Sequence, residues 1–413
     1  MNRPQSPAHW IWLLTLFSLA GFIETVFFGQ LNAFTPLYLP RLGIPPNQVA
    51  LWTGALVSIS SAIGIPFLPF WGALADRYAR QPIIIRSYFV HLTAAVGMLL
   101  AGNIWVFVIG RSFTSLALGN SGLMMTTLSE RAPQNRQGLA FSIMNTAPPI
   151  GAFLGPLVSG PVIDRWGFRT LMLVDAVLML GVIAALTFGY RDDFQGTKRG
   201  SLIQMAVESV RIIWRSARLR ALFGALFLLF AGWMLAITYA PLAVTALYRG
   251  DQPGTAVGIV IGAGGLTALV LGPVVGALAD RFGYWRVLFT GAAVAVFLWP
   301  LAVAVFLWPL PLLTPELVSF AVVWALINGL VSAVFAISFT VLSNSAAKEV
   351  RGRVMSFAFL PVNLGFMIGP AIGSLVTRGS VFAVFPTAAA VLTAFGIGGL
   401  WIASKQDGGR AYA

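Results

Sequence analysis

The chain contains no cysteine, which excludes a disulfide framework and any thiolate metal or redox centre. Only two histidines are present, His9 and His91, and no His-Glu-x-x-His pair exists to hold zinc. A Gly-x-x-x-x-Gly-Lys-Ser/Thr phosphate loop is also missing, which removes ATP hydrolysis by that route. Neither a cofactor nor a metal is implied. Charge is scarce as well: 9% of the 413 residues are charged, 58% are hydrophobic, and mean hydropathy is +0.85. A soluble domain carries about 25% charge, so this chain is too apolar for water.

What it does have is a succession of apolar runs of about 20 residues, enough to cross a hydrocarbon core about 30 Å thick. Backbone polar groups in that core must be bonded internally, so the runs are read as helices. The fold class is an all-α polytopic membrane protein with twelve spans: 10–38, 50–71, 83–102, 104–126, 139–163, 168–190, 221–247, 255–276, 286–308, 315–342, 354–376 and 379–403. The first run is too long for a signal-peptide core and lacks a small-residue cleavage site. Net charge is +13, but its distribution points to a lipid bilayer and not to nucleic acid. With the N-terminus inside, and residues in the first turn of a span counted with the adjoining loop, 20 of the 26 Lys and Arg residues fall on the cytoplasmic side and 5 outside. That asymmetry predicts a multi-pass cell-membrane protein with both termini cytoplasmic.

The chain writes one stretch twice. Gly72-Ala-Leu-Ala-Asp76-Arg77-Tyr-Ala-Arg80 returns 204 residues later as Gly276-Ala-Leu-Ala-Asp280-Arg281-Phe-Gly-Tyr. Gly54 and Pro69 match Gly258 and Pro273 at the same offset, and Pro36 matches Pro241 at 205. At offset 214, Gly138, Ser142, Gly151, Gly155 and Pro156 match Gly352, Ser356, Gly365, Gly369 and Pro370. A duplicated half in the same orientation implies a pseudo-two-fold axis along the membrane normal. Three parts follow: a six-helix bundle over 1–190, a cytoplasmic linker over 191–220, and a second six-helix bundle over 221–413. In the linker, Ser201-x-x-Gln204 offers a capping box ahead of an apolar stripe flanked by Arg211, Arg215 and Arg218. Such a helix suits an anionic membrane surface; a solvated charged linker is the alternative.

These residues resemble the major facilitator superfamily over nearly the whole chain. In that family the loop between the second and third helices reads G-x-L-A-D-R-x-G-R-R/K. Gly72, Leu74, Ala75, Asp76, Arg77 and Arg80 match it, while Ala79 and Gln81 depart from it. Gly151-x-x-x-Gly155-Pro156-x-x-x-Gly160 resembles the glycine-proline motif of proton-coupled antiporters. Arg111 fits a third family motif, although Thr114 and Ser115 replace its Gln-Gly. The resemblance is to bacterial twelve-helix drug/proton antiporters, and it implies a monomer moving a small molecule against protons. Asp76 and Asp280, with Gly72, Arg77, Arg80 and Arg281, would latch the cytoplasmic side by accepting hydrogen bonds from a facing helix N-terminus. Topological anchoring by the arginines is the plainer alternative.

An ionisable group inside a span costs about 2.5–3.5 kcal/mol on insertion scales and faces a cavity or a partner. Glu24 and Arg111 are the clear cases. Glu24 lies roughly 21 Å from the inner end of its span, and Arg111 about 10 Å below the outer end of its own. In a core about 30 Å thick these depths nearly coincide, so a direct or water-bridged pair is expected. Glu24 would carry the proton, since burial raises a carboxyl pKa and a nearby arginine lowers it. A permanent ion pair is the alternative. Asp175 and His91 fall on spans that are peripheral in the family, where structural roles are expected. Asn32, Asn145, Trp233, Tyr239, Trp324, Asn328 and Asn363 are candidates to line a substrate cavity, or to bond a neighbouring helix. Gly258-Ile-Val-Ile-Gly262-Ala-Gly264-Gly265 lacks the third glycine of a dinucleotide loop and is read as close helix packing.

The expected function is secondary active transport by alternating access: export of amphipathic or aromatic compounds in exchange for protons. A sugar or lipid exporter and a proton-independent facilitator are alternatives on the same fold. An enzyme or receptor would need a clustered catalytic set in one span, and the chain has none.

Overall fold

The computed structural model describes residues 7–67, 79–117, 120–192, 210–283, 316–346 and 357–391, with isolated positions at 286–287, 290, 354, 398–399 and 401. Among these residues every regular element is helical. The principal helices are α1 (Pro7–Tyr38), α2 (Val49–Gly64), α3 (Arg80–Leu99), α4 (Ile104–Phe113), α5 (Asn120–Arg131) and α6 (Gln137–Gly189). They continue with α7 (Ala217–Ile237), α8 (Ala240–Leu247), α9 (Pro253–Phe282), α10 (Glu316–Ser345), α11 (Phe359–Val376) and α12 (Val384–Val391). Seven stretches among the described residues are long and apolar enough to cross a bilayer.

These elements are not the twelve expected spans one for one. The fourth span is split into α4 and α5 at Ala117, whose φ of −85° and ψ of 51° leave the helical region. The fifth and sixth share α6, which doubles back at Gly167, where φ is 80°. A left-handed backbone there needs glycine. The seventh is α7 followed by α8. The ninth span, the hinge positions Gly72, Asp76 and Arg77, and the capping box at Ser201 lie outside the described residues.

Local chemistry sets several helix ends. Asn103 caps α4 by accepting from the backbone N–H groups of Trp105 and Val106 at 3.0 and 3.1 Å. Ser216 caps α7 by accepting from Leu219 N–H at 3.3 Å. Both satisfy donors that a helix start leaves open. Outward-facing Leu173, Val177, Leu180 and Phe188 are exposed along the second arm of α6, as a lipid-facing wall requires. Trp105 and Trp166 are exposed at one end of the molecule, and Trp12, Trp214 and Trp401 at the other. Tryptophan favours both membrane interfaces. The end holding the start of α1 is called the near end below, its opposite the far end.

Packing between helices in lipid relies on close approach, because apolar side chains gain little by leaving an apolar solvent. The chain uses glycine for this at repeated positions. A Cβ at Gly151 would lie 2.9 Å from the Phe22 carbonyl oxygen of α1. One at its repeat, Gly365, would lie 2.8 Å from Ala231 N of α7. Across the two repeats, a Cβ at Gly54 would overlap the Pro370 carbonyl oxygen, and one at Gly258 the Pro156 carbonyl oxygen. Thus α2 is seated on α11 and α9 on α6 through the same pair of residue types.

Candidate functional site

Glu24 sits midway along α1 with its side chain 12% exposed. Its Oε2 accepts from Asn120 Nδ2 of α5 at 2.6 Å and from the Tyr88 hydroxyl of α3 at 3.3 Å. Its Oε1 faces His91 Nε2, also on α3, at 3.2 Å. Tyr88 and His91 are three residues apart and so share one face of α3; both are fully buried. The imidazole is enclosed by the rings of Phe27, Phe28 and Tyr88, with centroids 5.6, 5.1 and 6.2 Å away. A carboxylate costly to bury alone is therefore surrounded by donors inside an aromatic wall.

The expected Glu24–Arg111 pair does not form. Arg111 instead donates to Asn32 Oδ1 at 2.8 Å and to Thr35 Oγ1 at 3.2 Å. The reason is the length of α1. Its 32 residues span about 48 Å, well beyond a core of about 30 Å. Counting from its start thus sets Glu24 too far toward the other end. Arg111 meets α1 two to three turns beyond Glu24. Asp175 is 2% exposed and accepts from Gln30 Nε2, whose own Oε1 accepts from Ser159. This chain of three ties α1 to both arms of α6.

At the far end the first arm of α6 grips the start of α9. Asp164 accepts from Gly254 N–H at 2.8 Å, Thr255 N–H at 2.7 Å and the Thr255 hydroxyl at 2.7 Å. A carboxylate on the first turn of a helix is favoured both by unbonded N–H groups and by the helix dipole. Below this clamp, Gly160, Gly258, Gly262 and Gly265 close the seam. A Cβ at Gly160 would fall 2.6 Å from the Gly254 oxygen, and one at Gly265 would fall 2.6 Å from Phe153 N. The glycine run of α9 is thus a packing surface, and Pro156 belongs to the same crossing, while Gly155 packs against Val26 of α1. Toward the near end the two helices present Leu139, Ile143, Val270, Val274 and Leu278 as exposed side chains. A cavity of about 270 Å³ opens beside the clamp, lined by Phe34, Tyr38, Arg41, Asp164, Phe168 and Asp251 among others.

Of the expected latch residues, Arg80 lies at the start of α3 and is buried. Its guanidinium makes a bidentate pair with Glu130 of α5, at 2.6 and 2.8 Å, and its backbone N–H donates to Asp192. That ties together α3, α5 and the end of α6. Arg80 holds the Glu130 carboxyl below the usual carboxylate range. Arg281 is exposed and lies over the neighbouring Phe282 ring at 5.4 Å; the Asp280 side chain lies outside the described residues.

Three of the expected cavity residues are packing residues in this conformation. Tyr239 is fully buried and donates to the Pro370 oxygen at 2.8 Å. Trp324 is 1% exposed and stacks on Phe320. Asn328 is 7% exposed, donates to the Trp324 oxygen at 3.1 Å, and packs against Gly264. Asn32 holds Arg111, Asn145 is exposed, Trp233 packs on Phe230 and Phe366, and Asn363 donates to the Phe359 oxygen at 2.8 Å. Residue-by-residue reading overlooked Tyr88, Asn120 and Asp164. The i, i+3 spacing of Tyr88 and His91 was the available signal for the first.

The family model for the Major Facilitator Superfamily matches residues 13–314 and 253–410. The multidrug resistance protein MdtG of Klebsiella pneumoniae is 26% identical over 401 residues, covering 95% of this chain and 93% of that protein. The MdtG of Yersinia enterocolitica is 26% identical over 415 residues, covering 98% and 96%. Among solved structures, the POT family transporter PepTSo superposes with a TM-score of 0.78 at 15% identity, covering 98% of this chain and 99% of that one. The nucleoside transporter NupG gives 0.75 at 13% identity, covering 95% and 98%.

Proposed function

The chain belongs to the major facilitator superfamily, and from that premise we propose that it exports amphipathic or aromatic small molecules in exchange for protons. The observation that carries this reading is Glu24, an acid midway along α1, 12% exposed and held among polar partners from α3 and α5. Relatives named for multidrug resistance along nearly their whole length favour the same cargo class.

The architecture proposed is twelve spans in two six-helix bundles, 1–190 and 221–413, joined by the linker 191–220. It acts as a monomer with both termini cytoplasmic. The paired contacts Gly54–Pro370 and Gly258–Pro156 support the two-fold relation. On this orientation the far end is external. The Asp164 clamp then closes the outside, and the exposed near-end faces of α6 and α9 line a vestibule open to the cytoplasm. Asn32, Asn145, Trp233 and Asn363 are its candidate contacts. Asp76 and Asp280 would close the cytoplasmic side in the opposite state, with Gly72, Arg77 and Arg281 shaping their loops. Arg111 positions Asn32 on the vestibule wall and does not itself carry the proton.

A proton entering with the membrane potential releases about 2.3 kcal/mol per 100 mV, which drives cargo outward if both use the same acid. The test is a lumenal pH dye in vesicles holding the purified protein, with a panel of aromatic cations and neutral aromatics. Addition of a transported compound collapses an imposed pH gradient in wild type and leaves it intact in Glu24→Gln. Equal collapse in both would discard the reading.

A further inference from the structure

We infer that the proton site is a shared carboxylate–imidazole pair, Glu24 with His91, and that His91 is the group that sets when the proton is held. The inference deepens the role given to Glu24 and rests on it. Glu24 Oε2 already accepts from two donors, Asn120 and Tyr88, so a further proton has no favourable place there. Oε1 meets His91 Nε2 alone, at 3.2 Å. An added proton therefore lies on the Oε1–Nε2 side of the carboxylate or on the imidazole itself.

The charge balance follows. Empty, the pair is a carboxylate beside a neutral imidazole donating its Nε2–H, with a net charge of −1. One proton taken from water brings the pair to zero: it binds Nδ1, the ring nitrogen that lacks one, and the Nε2–H then stays as imidazolium beside carboxylate or passes to Oε1. Only N–H and O–H bonds form and break. His91 Nδ1 is buried without a hydrogen-bond partner, and the ring stands among Phe27, Phe28 and Tyr88. A net charge in that wall is tolerated while water reaches Glu24 and is costly once it does not. The closed intermediate thus passes only with the pair neutral, or with a cationic cargo balancing it. That condition is what makes exchange obligatory.

Other charged groups near α1 have their own partners. Arg111 of α4 is bound to Asn32 and Thr35, and Asp175 of α6 to Gln30. Arg86 of α3 lies five residues from His91 and donates to Ser87. On α5, Glu130 is held by Arg80 at the near end, beside Arg131.

The chain's two histidines make the test direct. With His9→Asn, nitrogen-15 labelling of histidine leaves His91 as the sole ring signal, to be followed by NMR from pH 5 to 9. Replacing the carboxylate in Glu24→Gln is expected to move the His91 ring-nitrogen signals, because the charged group facing Nε2 at 3.2 Å is removed. In reconstituted vesicles, His91→Asn is expected to alter the pH profile of proton flux while keeping its dependence on Glu24. A His91 titration identical in wild type and Glu24→Gln would overturn the pairing. If Glu24→Gln still abolished pH-gradient collapse, Glu24 would stand as sole carrier and only the pairing would fall. Should His91→Asn not fold, the Glu24→Gln spectrum alone decides.

Discussion

Removing the charge of Asp164 should open the far end of the molecule. Asp164→Asn keeps the side-chain shape but leaves one acceptor oxygen where three donors converge: Gly254 N–H, Thr255 N–H and the Thr255 hydroxyl. It also turns an amide N–H₂ toward backbone N–H groups. Loss of an N-capping interaction costs about 0.5–2 kcal/mol, and loss of charge at a helix N-terminus about 0.3–1 kcal/mol. The sum, about 1–3 kcal/mol, is paid only by the closed state. At about 1.4 kcal/mol per tenfold, the open-to-closed ratio should rise by a factor of about 5 to 140. Because the chain has no cysteine, spin labels can be set cleanly at Trp166→Cys and Arg249→Cys. Both positions are exposed and flank the clamp. Pulsed electron paramagnetic resonance should then show a longer-distance component growing in Asp164→Asn. Unaltered distance distributions would refute the claim that this carboxylate holds the far end shut. The clamp also has no symmetric counterpart: the position 214 residues later is Arg378, which cannot accept those hydrogen bonds.

Further outcomes are open to measurement. Gly258→Ala should lower thermal stability in detergent by about 1–3 kcal/mol, since its Cβ meets the Pro156 backbone; Gly272→Ala, in the same helix with open space around it, should not lower it. Tyr239→Phe should cost about 1 kcal/mol by removing the hydrogen bond to Pro370, and should partly relieve the clash introduced by Gly54→Ala, whose Cβ overlaps the same hydroxyl. The depressed Glu130 carboxyl contributes stability above its unfolded pKa of about 4.3, and this is lost as pH falls through the folded value. Glu130 is 52% exposed, so the loss should be about 0–1 kcal/mol. Melting curves at pH 7 and pH 3.5 should show that loss in wild type and not in Glu130→Gln.

The membrane-spanning character of α1, α2, α3, α6, α7, α9 and α11 was legible because apolar length and glycine-proline repetition survive in a single sequence. The glycine run of α9 was equally legible as a packing face. Partners of buried charges were not. Helix rise fixes depth only when the reference end is known, and α1 overruns the membrane, so Glu24 was matched to Arg111 and not to His91. Azimuth around a helix is the other missing coordinate. It decides that Trp324 and Asn328 turn into packing while Asn145 remains exposed. Asp164 was unreadable for a third reason, since two of its three donors are backbone N–H groups about 90 residues away that carry no side-chain signature.

The α6–α9 seam is main chain laid against main chain from Phe153 to Gly160, with glycine on the opposite side at each step. A joint whose closest approaches are mostly main chain to main chain can pivot with few rotamers having to turn. Its own friction is therefore low, and the pace of switching passes to the groups at its two extremities. Cargo preference could then drift through the vestibule lining while the axle stays the same.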